Sequence, residues 1–128
     1  MPNVLKPLCL MILVLCLPAG AEADDAPFSG IWTGTGTQGE QSWSIRVTFG
    51  PDRVRIDYPS LACGGIWQPA SGDPGPGKAN YHERLEYGLD ACAADGFVRL
   101  RKTRSGIDYE WSRSPGAQVE ATASLRPE

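Results

Sequence analysis

The chain is poor in the side chains that most catalysis and metal binding depend on. It has one histidine, His82, and four cysteines, Cys9, Cys16, Cys63 and Cys92, in 128 residues. Zinc sites need three or four His, Cys or carboxylate ligands at short spacing, and neither the cysteines nor His82 fall into such a pattern. No metal or other cofactor is expected. A Gly-x-Ser-x-Gly elbow is missing, and so is a Ser and Lys pair at an acyl-transfer spacing, so no catalytic residue and no enzymatic activity are expected. The run "GTGTQG", Gly34 to Gly39, has the glycines of a phosphate loop but lacks the helix whose amino terminus would face the anion. A basic excess is absent too: the net charge is −3, which argues against nucleic acid as a partner. The cluster "RLRKTR", Arg99 to Arg104, alternates with Val98 and Leu100 and reads as the solvent face of a strand.

Long apolar runs are confined to one place. Lys6 precedes an apolar stretch from Leu8 to Leu17 that ends at Pro18 and small residues, the pattern of a secretory signal peptide and too short to span a bilayer. Cleavage fits after Ala21 in "AGA" or after Ala23 in "AEA", the second leaving a polar start at Asp24. The expected organisation is a signal peptide over 1–23 and a single domain over 24–128, periplasmic or secreted, with no membrane span after cleavage. Lipidation at Cys16 is the alternative, disfavoured because Leu15 stands where a lipobox needs a small residue. Cleavage also removes Cys9 and Cys16. Cys63 and Cys92 are then left in an oxidising compartment with only each other to pair with, and such a disulfide stabilises a small domain by about 3 to 4 kcal/mol on the chain-entropy model.

Helical periodicity is missing throughout the rest, whereas two-residue alternation recurs between Gly, Pro and Asp punctuation. Strands are expected over Ile31–Thr37, Ser42–Phe49, Arg53–Tyr58, Cys63–Gln68, Asn80–Tyr87, Gly96–Lys102, Ile107–Arg113 and Val119–Leu125. Trp43, Ile45, Val47 and Phe49 share one face; Val54, Ile56 and Tyr58, then Ile107, Tyr109 and Trp111, repeat the scheme against charged partners. Tight turns at "FGPDR", "RSGID" and "SPGAQ" favour antiparallel neighbours. Half-buried strands in such a meander close most economically into an all-β, antiparallel up-and-down barrel of about eight short strands with one disulfide, because closure removes exposed edges. A two-sheet sandwich is the alternative. The one long connection, "PASGDPGPGKAN" from Pro69 to Asn80, reads as an exposed, mobile loop. The disulfide would staple the open end of the hairpin around it.

Several residues stand out against this scaffold. In "NYHERLEYG", alternation puts Glu83 on the face held by Tyr81, Leu85 and Tyr87, and His82 on the wetter one. An inward carboxylate needs a partner or a shifted pKa. It either pairs with an Arg or a Tyr hydroxyl in the core or meets a ligand inside the barrel. Of the four tryptophans, Trp43 and Trp111 fall on inward faces, while Trp67 in "CGGIWQP", beside the long loop, is expected to be the exposed one. The candidate ligand contacts are Trp67, Tyr81, Glu83 and Tyr87.

The pieces "GIWTGTGTQ", "IDYPSLACGGIW", "ERLEYGLDACAADGFVRLR", "IDYEWSR" and "ATASLR" together resemble a small uncharacterised bacterial β-domain, found alone after a signal peptide or appended to Ser/Thr kinase and caspase-like proteins. That resemblance implies a modular sensor or binding domain in the extracytoplasmic space. A second likeness is to the calycin barrels, lipocalins and avidins, whose first strand opens with Gly-x-Trp as Gly30 and Trp32 do here. It implies that Trp32 closes the barrel floor and packs on an Arg from a late strand, Arg126 or Arg113. Two functions are therefore expected to compete. One is a non-enzymatic binding module for a small ligand or glycan at the barrel mouth; the other is a protein-binding inhibitor, of a lysozyme for example, acting through the 69–80 loop.

Overall fold

The computed structural model describes residues 28–128. The signal peptide expected over 1–23, with the expected cleavage after Ala21 or Ala23 and with Cys9 and Cys16, lies outside the described residues. Eight strands follow one another: β1 Gly30–Gln38, β2 Gln41–Phe49, β3 Val54–Tyr58, β4 Cys63–Pro69, β5 Lys78–Tyr87, β6 Asp95–Lys102, β7 Ile107–Ser112 and β8 Ala121–Pro127. A single 3-10 turn, Pro59–Leu61, joins β3 to β4. Each strand pairs antiparallel with the next, and β8 returns to β1 from Trp32 opposite Pro127 to Thr37 opposite Thr122. The sheet is thus a closed up-and-down barrel, not a sandwich. All eight expected strands are present, with ends displaced by one or two residues. The largest corrections are at β8, which begins and ends two residues later than expected, and at the long loop, where Lys78 and Ala79 already belong to β5 and pair with Arg101 and Leu100.

Alternation explains the two surfaces. Ile45, Val47, Ile56, Val98, Leu100, Ile107 and Leu125 turn inward and are buried. Removing such side chains from water contributes roughly 1.5 to 3 kcal/mol each. Outward positions carry charge: Arg99 meets Glu110 and Arg101 meets Asp108 across the β6–β7 ladder, each at 2.7 Å. The arginines of "RLRKTR" on β6 are therefore a paired solvent face, and exposed pairs of this kind add little stability.

The two ends of the barrel differ. One end, the loop end, carries Phe28, the turn at 50–53, the long connection 70–77 and the turn at 103–106. There Phe28 packs on Phe49 with ring centroids 5.5 Å apart, and Trp32 lies against the core. The expected stack of Trp32 on Arg126 is not formed. Arg126 sits opposite Thr33, whose side chain points outward, so the inward place in that part of β8 belongs to Leu125. Arg113 likewise pairs with Glu120, at 3.0 Å. The indole N–H of Trp32 donates instead to the Ser29 carbonyl at 2.8 Å. The other end carries the connections 39–40, 59–62, 88–94 and 113–120. It also holds the disulfide between Cys63, at the start of β4, and Cys92, with Cα atoms 6.5 Å apart.

Candidate functional site

At the disulfide end the barrel opens into a cavity of about 510 Å³. Its inner wall is built by Trp43 from β2, Tyr58 from β3, Glu83 from β5, Tyr109 and Trp111 from β7 and Ala121 from β8. Gln38, Gln41 and Ser42 stand at the rim on one side, Leu61 and the Ala91–Ala93 segment on the other. The disulfide therefore ties one wall of the mouth, through Cys92, to the barrel strand β4.

Glycine makes room for the indoles. At Gly96, opposite Glu83 on β6, any Cβ would collide with the Trp111 ring, and at Gly36 a Cβ would collide with that of Trp43. Both rings occupy the space that a side chain at the glycine would take. Each sits where a strand position inside the barrel carries no side chain, which is how two tryptophans and a void share one end of a small barrel.

Glu83 is the chemical centre. Its side chain is 3% exposed. Oε1 accepts from the Tyr58 hydroxyl and from the Trp67 indole N–H at 3.0 Å; Oε2 accepts from the Trp111 indole N–H at 3.0 Å. Tyr58 and Tyr109 hydroxyls are 2.9 Å apart, which extends the network across to β7. Every partner is neutral. Burial is the largest influence on the carboxyl and raises its pKa, the three donors pull it back down, and Asp95 adds to the rise. Burial also holds the Tyr58 and Tyr109 phenols well above their ordinary value, so both remain hydroxyls over the physiological range.

The four residues expected to contact ligand separate in space. Glu83 lines the cavity. Trp67 does not become the exposed tryptophan: it is 2% exposed, stacked between Tyr81 at 5.5 Å and Tyr109 at 6.0 Å, and it meets Glu83 from beneath. The reason is the inward place it holds in β4, opposite Val54 and Glu83, which overrides its nearness to the loop. Tyr81 is buried one layer further from the mouth. Tyr87 leaves the group altogether. The β4–β5 register shifts between Gly64 and Gly65, so that Leu85 faces Gly65 but Tyr87 faces Gly64, and the extra residue, Glu86, turns Tyr87 outward. There, 39% exposed, its hydroxyl donates to Asp57 and the Arg55 guanidinium lies 6.0 Å from its ring centre. His82 is also outside, edge-on to Phe97 at 5.5 Å.

Tyr58, Tyr109, Trp111 and Trp43 line the cavity as well; alternation places them inside without marking them as a site. Their signal was a polar tip on an inward aromatic, since a buried Tyr or Trp needs a partner for its O–H or N–H.

No family model, curated protein or solved structure matches this chain. The fold stands as an eight-stranded antiparallel barrel with one disulfide, and the chemistry of the site rests on its own geometry.

Proposed function

We propose that the protein is a non-enzymatic binding module that takes a small molecule into the cavity at its disulfide end. The observation that carries this is the cavity itself: about 510 Å³, within the range of small-molecule sites, lined by aromatic faces with a few convergent polar groups. The signal-like leader and the Cys63–Cys92 disulfide support action in the periplasm or outside the cell. The resemblance of its sequence pieces to an extracytoplasmic β-domain appended to kinase and caspase-like proteins fits the same role. The cavity carries a single carboxylate, and the hydroxyl bonded to it, that of Tyr58, is held in its protonated form by burial, which favours binding over turnover.

A second reading, inhibition of a partner protein, draws support from the long loop, which is pinned by its own bonds. Gly75 N–H donates to Asp73 at 2.9 Å, and Lys102 N–H donates to the Gly77 carbonyl at 2.7 Å. Loop and cavity lie at opposite ends, so one experiment separates them. The uncharged fluorophore N-phenylnaphthylamine is titrated into the mature protein, into Ala121→Phe, which fills the cavity, and into a variant lacking Ser71 to Gly77. The binding reading expects saturable fluorescence that weakens at least about tenfold in Ala121→Phe, the loss of one well-fitted apolar contact, and is unchanged by the deletion. No saturable binding to the mature protein, or equal binding to Ala121→Phe, overturns it.

A further inference from the structure

The cavity has an unusual charge arrangement for an apolar-walled site. Glu83, almost wholly buried, reaches its floor, and no Lys, Arg or His is among the lining residues. None of the five ion pairs among the described residues involves it. Its partners are two indole N–H groups and a hydroxyl, which satisfy hydrogen bonds without supplying positive charge. In its ionised form, a buried carboxylate solvated only by neutral dipoles has its negative potential uncancelled and concentrated toward the mouth by low-dielectric walls, and a cation beside it favours that form against the upward pull of burial.

Two of those donors leave Oε2 with one bond, from Trp111, while Oε1 holds the other two. A carboxylate offers about four acceptor positions, so capacity is left for a further donor. Around that capacity stand the rings of Trp43, Trp111, Tyr58 and Tyr109. Aromatic faces attract cations, most strongly when water is excluded. An anionic ligand has no cation to meet and would face Glu83 unscreened. A metal ion would find one carboxylate and no second anionic ligand in the cavity.

We infer that the ligand of this cavity is an organic cation: an ammonium group that donates to Glu83 among the aromatic rings, on an apolar body that fills the rest of the space. This inference rests on the proposed binding role and names the ligand class for it. It assigns Glu83 as the recognition residue, Trp67 as the group that positions its carboxylate from below, and Trp43 and Trp111 as the walls.

The test is displacement of N-phenylnaphthylamine from the mature protein by three compounds of one shape, phenethylamine as its ammonium ion, phenethyl alcohol and hydrocinnamate. The ammonium is expected to bind at least about tenfold more tightly than the alcohol, the worth of one charge-assisted hydrogen bond, and hydrocinnamate not to compete. Glu83→Gln, whose folding is checked by circular dichroism, is expected to bring ammonium and alcohol within about twofold of each other. The comparison on the unaltered protein stands whether or not that variant folds. Alcohol or hydrocinnamate competing as well as the ammonium, or none of the three displacing a fluorophore that does bind, overturns the cation inference and leaves the binding role intact. Failure of the fluorophore itself to bind overturns both.

Discussion

The two ends of the barrel are made by the same eight strands, yet one is filled and the other hollow. At the loop end, inward positions carry Phe49, Leu100, Ile107 and Leu125, aliphatic or aromatic groups with no polar atom to satisfy, and they close on one another. At the disulfide end they carry Tyr58, Glu83, Tyr109 and Trp111, each with a polar tip that must be paired. Pairing fixes those side chains in place across the lumen. Groups held by directional bonds cannot slide to fill space, whereas apolar groups can, so the apolar end closes and the polar end keeps its cavity.

The contrast is broken most severely by hollowing the filled end. Leu125→Ala removes a wholly buried side chain whose neighbour on β1, Gly34, has nothing with which to fill the gap. The expected loss is about 4 kcal/mol, in the upper part of the usual Leu→Ala range, read from urea denaturation; a loss below about 1 kcal/mol would mean that this end is not the stabilising one. Fluorophore binding in the fraction still folded is expected to be unchanged.

Next in size comes the disulfide. The double variant Cys63→Ala and Cys92→Ala frees a 29-residue separation and is expected to lose about 3 kcal/mol. Because Cys92 also forms part of the mouth, fluorophore affinity should fall in the same variant, measured under conditions where it remains folded. Undiminished affinity would show that the mouth keeps its shape without the tether.

The smallest expected effect sharpens the polar side of the comparison and has a definite sign. Glu83 has a folded pKa raised above its unfolded value, chiefly by burial. The folded state then binds the extra proton more readily, so this contribution to stability is full below the ordinary glutamate pKa and is lost as pH rises through the folded value. Tyr58 from β3 and Tyr109 from β7 stay protonated across that window, and Trp67 and Trp111 do not titrate, while Asp95 at the start of β6 reinforces the shift. Denaturation at a series of pH values should show the mature protein losing stability relative to Glu83→Gln as pH increases. A relative gain with increasing pH would contradict burial as the dominant influence.

Much of this was legible in the residues. Alternation of Trp43, Ile45 and Val47 against Ser44 and Arg46 is a local property of an extended chain, so inside and outside could be assigned strand by strand. The inward carboxylate of Glu83 was visible in the same way, and so was the partner chemistry it needed. Tyr87 was misplaced because a single extra residue, Glu86, inverts every later side chain of that strand without any break in the pattern of β5. Trp67 was misplaced because nearness along the chain to the Pro/Gly loop says nothing about which side of the sheet a ring occupies.

By itself, then, the sequence determined the number of strands, their faces apart from Trp67 and Tyr87, the antiparallel meander and the pairing of Cys63 with Cys92, each of which follows from period-two patterning, turn residues or elimination. Only the tertiary structure decided where the lumen is empty. Tyr58 and Glu83 are 25 residues apart, and Glu83 and Trp111 are 28 apart. Whether they share a layer depends on strand register, on the bulge in β5 and on the closure of β8 against β1, none of which any local stretch of sequence encodes.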